Sequence, residues 1–364
     1  MEVSATNSQV TDYQQDDYFS EGFKLPSFFN LVKEILCSDS PQDRHSIDLR
    51  KRTTDWIFHE TYNRPKDELQ ILDVLTESYP NFSLERSLGQ GSFSKAFLFS
   101  YEKGGEACRK VLKFNRFSKA KEKPEYFSLS KDHFGGEWLA LLSHGDKVAT
   151  TRYAIAFDNH SQKFVLINAA LVQELYDYPE MRESVDLTFI GSISDYIEGS
   201  EDLKSRITKS PESLTTDVIR SIGQQLLQGV QSIHQKGIIH RDIKPGNVLI
   251  NGNNEIKFID FGCASVIGQN ADNYRGSGLY AAPELQNGTP YSYKIDSYSI
   301  GMTLFELATG GKHLKSGESS LEDVEDIQLR SLITELTADD PEVRLSPEEA
   351  LGHSFFTGEH LVAK

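Results

Sequence analysis

The sequence predicts an α+β architecture in two lobes, a small β-rich one followed by a larger α-helical one. Three features carry that expectation. Strand-like runs cluster between residues 82 and 114, helical periodicity dominates from Leu214, and a short apolar hairpin with an acid at each end interrupts the helical part. The cleft between two such lobes is a preferred place for a ligand.

Residues 1 to about 24 are rich in Gln, Ser, Asn and Asp with little periodicity, which predicts a disordered start. Helical stripes come next at Phe28, Phe29, Leu31, Val32, Ile35 and Leu36, at Trp56, Ile57 and Phe58, and at Leu69, Leu72, Val74 and Leu75. Three short helices make a thin core, so this segment is expected to pack on the larger domain C-terminal to it. The division is therefore an extension over residues 1–80 and a domain over 81–357, with its lobes meeting near residue 197. Runs at 84–88, 95–99 and 107–114, separated by glycines, read as a small antiparallel sheet carrying a Gly-rich turn. Further on, Ile219, Ile222, Leu226, Val230 and Ile233 recur at helical spacing and lead into Gly237. Runs at 248–250 and 256–259 flank Asn251-Gly252-Asn253-Asn254, a hairpin signal because Asn and Gly tolerate positive φ.

At 364 residues, with 38% hydrophobic and 25% charged residues, the chain has the composition of a soluble globular protein. Its longest apolar run, over 165–172, is too short to span a bilayer, and its acidic start has neither a secretory nor a transit pattern. Cys37, Cys108 and Cys263 lie far apart, which suits a reducing, cytoplasmic compartment. A net charge of −16 disfavours nucleic acid and anionic membranes and would suit a basic protein partner, although charge of this size also serves solubility alone.

The most informative stretch is His240-Arg241-Asp242-Ile243-Lys244-Pro245-Gly246-Asn247, followed by Asp260-Phe261-Gly262. It supplies an acid able to accept a hydroxyl proton (Asp242), an amide and a second acid able to hold Mg²⁺ (Asn247 and Asp260), and a lysine beside them (Lys244). The two acids bracket one hairpin. These residues resemble the protein kinase family, and the resemblance runs from Phe82 to Phe356 with its motifs in order.

The resemblance implies an ATP-dependent, Mg²⁺-requiring serine/threonine protein kinase. In it, Asp242 is the catalytic base, Lys244 stabilises the transferring phosphate, and Asn247 and Asp260 hold the metal. Leu88-Gly89-Gln90-Gly91-Ser92-Phe93-Ser94-Lys95-Ala96 resembles the phosphate-covering loop, with Ser94 at the third glycine and Ala96 at the usual valine over adenine. Lys110 matches the strand lysine that contacts the α and β phosphates, and the small Cys108 favours it. Lys110 and Leu112 share one strand face and Val111 and Lys113 the other, so one lysine alone can enter the cleft, with Lys113 the fallback. Glu137, opening an amphipathic stretch over 137–144, is the candidate partner of that lysine. Residues 194–199 resemble the hinge, with Asp195 and Ile197 meeting adenine through backbone groups, and Leu249 belongs to the same nucleotide site. A hairpin over 153–157 and 163–167 offers a rival hinge near 168–171. The basic stretch 119–123 reads as a solvated loop.

Farther along, Gly276-Ser277-Gly278-Leu279-Tyr280-Ala281-Ala282-Pro283-Glu284 resembles the end of the activation segment. Asp296 matches the anchor of the catalytic loop and Arg344 the partner of Glu284, a set that points to a protein substrate. Glu306 lies where the family often keeps an acid that meets basic substrate residues. Arg241 implies control by a phosphate on the activation segment, but the expected position holds Asn273 between Asp272 and Tyr274. Asp272 could replace that phosphate, Tyr274 could carry it, or none is needed. A pseudokinase scaffold is the alternative reading. It would lack one catalytic polar group, and none is missing here.

Overall fold

The computed structural model describes residues 75, 78–90, 94–115, 128–129, 136–158, 163–178, 185, 187–268, 277–317 and 319–358. The helical stripes expected before Leu75, Cys37, the basic stretch 119–123, the loop residues Gly91, Ser92 and Phe93, and Asp272, Asn273, Tyr274 and Gly276 lie outside these.

The β-rich lobe is built on β1 (Ser83–Gln90), β2 (Ser94–Lys103) and β3 (Glu106–Asn115), with a two-residue β4 (Ser128–Leu129). Next come a short helix α1 (Trp138–Leu142), β5 (Thr151–Asp158), β6 (Lys163–Asn168), helix α2 (Ala169–Asp177) and β7 (Leu187–Asp195). The strands form one antiparallel sheet in the order β1-β2-β3-β7-β5-β6, with β4 also paired to β7. Aromatic or β-branched residues occur in β2, β3, β5, β6 and β7, as a half-buried pleated surface favours.

Register decides which side chains share a face. Phe97 pairs with Leu112, Phe99 with Lys110 and Ala96 with Lys113 across β2 and β3. Lys110 pairs with Asp195, and Lys113 with Ser192, across β3 and β7. One face thus carries Phe97, Phe99, Leu112, Phe114 and Ile193, which pack with Leu75 and Tyr79 from the chain preceding β1. The opposite face carries Ala96, Val111, Lys113 and Ser192. Gly191 is required here, since a Cβ at that position would lie 2.4 Å from the Lys113 carbonyl oxygen. Its absence lets β7 close on β3 beside the lysine.

The helical lobe follows β8 (Glu201–Asp202) and α3 (Leu203–Lys209), where Asp202 caps the helix by accepting from Ser205 N–H. Helix α4 (Thr216–His234) buries Ile219, Ile222, Leu226, Leu227, Val230 and Ile233 at three- and four-residue spacing, as its sequence predicts. After β9 (Ile238–Ile239) come β10 (Val248–Ile250) and β11 (Ile256–Phe258), which form the expected hairpin with Val248 opposite Phe258, and then β12 (Ser265–Val266), paired with β9. Four further helices, α5 (Pro283–Gln286), α6 (Lys294–Ala308), α7 (Ile327–Leu336) and α8 (Pro347–Leu351), precede a final turn α9 (Ser354–Thr357). Helix α6 is buried on nearly every side, and α4 packs against α6, α8 and β11. The main core runs continuously from Trp138 to Phe355 and joins the helical lobe to α1 and α2.

Two sequence expectations change. The stretch over 137–144 is not amphipathic in place, because α1 is five residues long and all five are buried. Val172 and Leu175 of α2 join the same core and cover a face that the sequence alone would leave to solvent. The hairpin over 153–157 and 163–167 exists as β5 and β6. It does not lead to the junction between the lobes. Residues 168–171 instead begin α2, with Asn168 capping through Leu171 N–H at 2.9 Å, and β7 carries the chain back to Asp195.

Candidate active site

The catalytic loop is held by a buried acid. Asp296 of α6 accepts from His240 N–H and Arg241 N–H, each at 2.9 Å, and contacts His234 Nε2 at 2.8 Å. Burial alone would raise its carboxyl, and the hydrogen bond and charge of His234, with those of His240, hold it below the usual carboxylate range. Arg241 and Asp260 adopt positive φ, +66° and +65°. Such conformations cost about 1–3 kcal/mol each outside glycine, and they persist where surrounding bonds fix them. His240 supports both loops, packing against Phe258 and Phe261 with its Nε2 3.2 Å from the Ile259 carbonyl oxygen.

Around Asp242 three groups converge. Lys244 Nζ donates to its Oδ2 at 2.7 Å, Asn247 Nδ2 donates to Oδ2 at 2.9 Å, and Ser277 N–H donates to Oδ1 at 2.8 Å. Lys244 also donates to Ser277 Oγ at 2.6 Å, so the activation-segment serine bridges the loop acid and its lysine. The Asp242 side chain stays 11% exposed. It is oriented by three donors yet open on one side.

The second cluster corrects the sequence reading. Lys113, and not Lys110, forms the ion pair with Glu137, and Lys113 Nζ also reaches Asp260 Oδ1 at 2.8 Å. Lys110 lies on the opposite sheet face and pairs with Asp195 at 2.5 Å; Arg152 holds the same carboxylate in two-point contact. Cys108 shares the Lys110 face, so its small size says nothing about the cleft. Val111 is the strand residue that faces the cleft beside Lys113. Burial would depress the Lys113 ammonium, and the charges of Asp260 and Glu137 overcome this and raise it well above the ordinary lysine value. Asp260 moves the other way: burial would raise it, but Lys113 holds it well below the carboxylate range. Glu137 shifts upward from the usual carboxylate range, chiefly through its burial, with the Lys113 charge acting against this and the Asp260 charge adding to it.

Other expected residues are distributed between the two faces. Leu88, Gly89 and the backbone of Gln90 end β1, while Ser94, nearly buried, and Ala96 open β2. The Asp195 side chain points away from the Lys113 face, and its N–H donates to Thr150. Ile197 accepts through its carbonyl oxygen from Ser200 Oγ at 2.7 Å, and Leu249 lies half-buried on β10 opposite Asp202.

Two further contacts show how the helical lobe steadies this centre. Arg344, fully buried, binds Glu284 through both guanidinium ends at 2.5 and 2.9 Å. Arg241 donates to the Cys263 carbonyl and to Tyr291 Oη at 2.8 Å, a tyrosine partner that sequence spacing gave no reason to single out.

Comparison with known proteins agrees with this geometry. The family model described as "Protein kinase domain" matches residues 82–356. The chain is 35% identical over 136 residues to the MAP kinase kinase MKK1/SSP32 of Saccharomyces cerevisiae, covering 37% of this chain and 26% of that protein. It is 32% identical over 193 residues to mitogen-activated protein kinase kinase 1 of Arabidopsis thaliana, covering 46% and 53%. It is 26% identical over 296 residues to the SNF1-related protein kinase catalytic subunit alpha KIN12 of the same plant, covering 78% and 52%. The chain thus spans between about a quarter and half the length of these relatives. With the family match extending over most of its length, the chain belongs to the protein kinase family.

Proposed function

We propose that this protein is a serine/threonine protein kinase that transfers the γ-phosphate of ATP to protein hydroxyls. The single observation that carries the reading is the assembled pair of clusters: Lys113 contacting both Glu137 and Asp260, and Asp242 held by Lys244, Asn247 and Ser277. A scaffold with no catalytic role would not need both.

The donor set suits Mg²⁺, which prefers hard oxygen ligands supplied by one or two carboxylates together with substrate phosphates. Asp260 offers a carboxylate that is 40% exposed on its side chain. Asn247 commits its amide N–H groups to Asp242, which leaves its carbonyl oxygen for a cation. Bound there, the ion would neutralise phosphate charge. Lys113 supplies a fixed positive charge for the α and β phosphates, with Glu137 setting its direction. Gly89, Gln90 and Ser94 would lie beside the phosphates, the resemblance assigns Gly91, Ser92 and Phe93 to the same role, and Leu88, Ala96, Val111 and Leu249 would enclose the base. Ile197 N–H and the Asp195 carbonyl meet its polar edge.

Asp242 would accept the proton of the acceptor hydroxyl as its oxygen attacks the γ-phosphorus, the bond from that phosphorus to the β–γ bridging oxygen would break with ADP leaving, and Lys244 would offset the charge on the transferring group. Ser277, donating to Asp242 and accepting from Lys244, keeps the two side chains in register with the acceptor. The domain acts as the unit over 81–357 with the preceding residues as a regulatory or docking extension, in the cytoplasm.

Incubation with labelled Mg-ATP and a generic protein acceptor tests this reading. The wild-type protein is expected to label serine or threonine, and Asp242→Ala to lose about 10²- to 10⁴-fold in rate while keeping its fold. Full activity in Asp242→Ala, or labelling confined to tyrosine, would overturn it.

A further inference from the structure

Glu306 of α6 has a fully buried side chain, yet it does not lie in an apolar setting. Lys204 and the Tyr280 hydroxyl both bind it at short range, and His313 Nδ1 lies 3.8 Å away. A carboxylate taken out of water without a counter-charge is costly, so Lys204 is the group that makes this burial tolerable. Lys204 itself is 47% exposed. It therefore presents a cation to solvent at a place where the acid beneath is already engaged.

The location is the acceptor side of the cleft. Lys204 belongs to α3, which packs against residues 245–247 directly after the catalytic loop. Tyr280 follows Ser277 by three residues, and its hydroxyl lies within range of the Asp242 charge. The neighbouring Leu279 is 43% exposed, which leaves an open shelf for an extended chain beside Asp242. The acids next to α3 are also engaged within the chain. Glu201 pairs with Arg206 at 2.7 Å and Lys209 at 3.3 Å, and Asp202 is the helix cap, accepting from Ser205 N–H and Oγ at 2.8 Å each.

We propose that Lys204 is a specificity-determining residue. By occupying Glu306 and facing the acceptor shelf, it disfavours arginine or lysine near the phosphorylated residue and favours glutamate or aspartate there. The inference rests on the proposed kinase activity and names the acceptor chemistry of that same site. It also separates the local field from the global one. A net charge of −16 would attract basic chains generally, but a basic residue reaching this shelf must displace Lys204 from Glu306 to find a partner.

The test is equilibrium binding, so that it does not depend on phosphate transfer. Fluorescent peptides with alanine at the acceptor position carry Glu or Arg in turn at each of the flanking positions, and anisotropy gives their affinities for the full chain. The wild type is expected to favour the Glu peptide by about fivefold at one or more positions, the range exposed charge pairs reach. Lys204→Ala should reverse that ratio by exposing Glu306, and Lys204→Arg should keep it. Because Lys204→Ala leaves a buried acid unpaired, the double variant Lys204→Ala with Glu306→Gln provides a second reading, with the ratio expected near one. Preference for the Arg peptide by the wild type, or a ratio unchanged in Lys204→Ala and in the double variant, would overturn the proposal. Absence of binding to every peptide would do the same. Failure of the kinase reading would appear separately, as absence of transfer in the labelling assay.

Discussion

Single residues decide the chemistry of this cleft, and the strand lysine shows how narrowly. The stretch Arg109-Lys110-Val111-Leu112-Lys113 offers lysines on both faces of one strand, and the sequence by itself does not say which face meets the cleft. The partners do: Lys110 stands opposite Phe99 on the aromatic face, and Lys113 stands opposite Ala96 and Ser192. The large residues at Phe97, Phe99, Leu112 and Phe114 were the available signal, since a face that bulky is a packed one. The Asp242, Asn247 and Asp260 positions were legible because their spacing is fixed by a hairpin of local sequence. Asp296 yields a prediction at this scale. Its carboxyl is depressed in the folded state, so it contributes stability that is complete above the unfolded value of about 4 and is lost as pH falls through the folded value. Asp296→Asn should cost about 3 kcal/mol at pH 7, through loss of charge-assisted bonds to His240, Arg241 and His234. Urea unfolding between pH 7 and pH 3 should show the gap between wild type and variant narrowing on the acid side; a constant gap would contradict the assignment.

Among the elements, α1 and α2 act as one unit. Glu137 sits at the start of a helix only five residues long, too short to be stable on its own, so its direction depends on packing. Val172 and Leu175 of α2 supply part of that packing, and Gly136 N–H ties the start of α1 to the Ala264 carbonyl oxygen at 2.9 Å. Helix α2 therefore braces α1 and, through it, Glu137. Leu175→Ala is expected to cost about 2–5 kcal/mol, the range of buried leucine truncations, and to weaken ATP binding through Glu137. Thermal melting and nucleotide titration of the variant check both effects; an unchanged nucleotide affinity would remove α2 from the site. Gly191→Ala probes the junction of β3 and β7, where a Cβ would meet the Lys113 carbonyl oxygen at 2.4 Å. It should lower both stability and transfer rate. The hairpin of β5 and β6 could be read from the sequence as a local alternation. The brace could not, because it depends on contacts between residues distant in the chain.

At the level of the whole molecule, two lobes of different composition are joined by a core that includes residues from Trp138 to Phe355, and the Lys113–Asp260 ion pair links them. The α+β class was legible because strand and helix periodicities occupy separate parts of the chain. What packs on the aromatic face of the sheet was not, since Leu75 and Tyr79 reach it from the chain before β1. We take Lys113, Glu137, Asp260 and Asp242 to form one phosphoryl-transfer centre. The decisive comparison is the rate of phosphate transfer from Mg-ATP, measured side by side for wild type, Lys113→Met and Lys110→Met. The expected result is a loss of at least about 10²-fold for Lys113→Met, on the scale of removing one preorganised charge from a transition state, with near-wild-type transfer for Lys110→Met. Retained activity in Lys113→Met would contradict it.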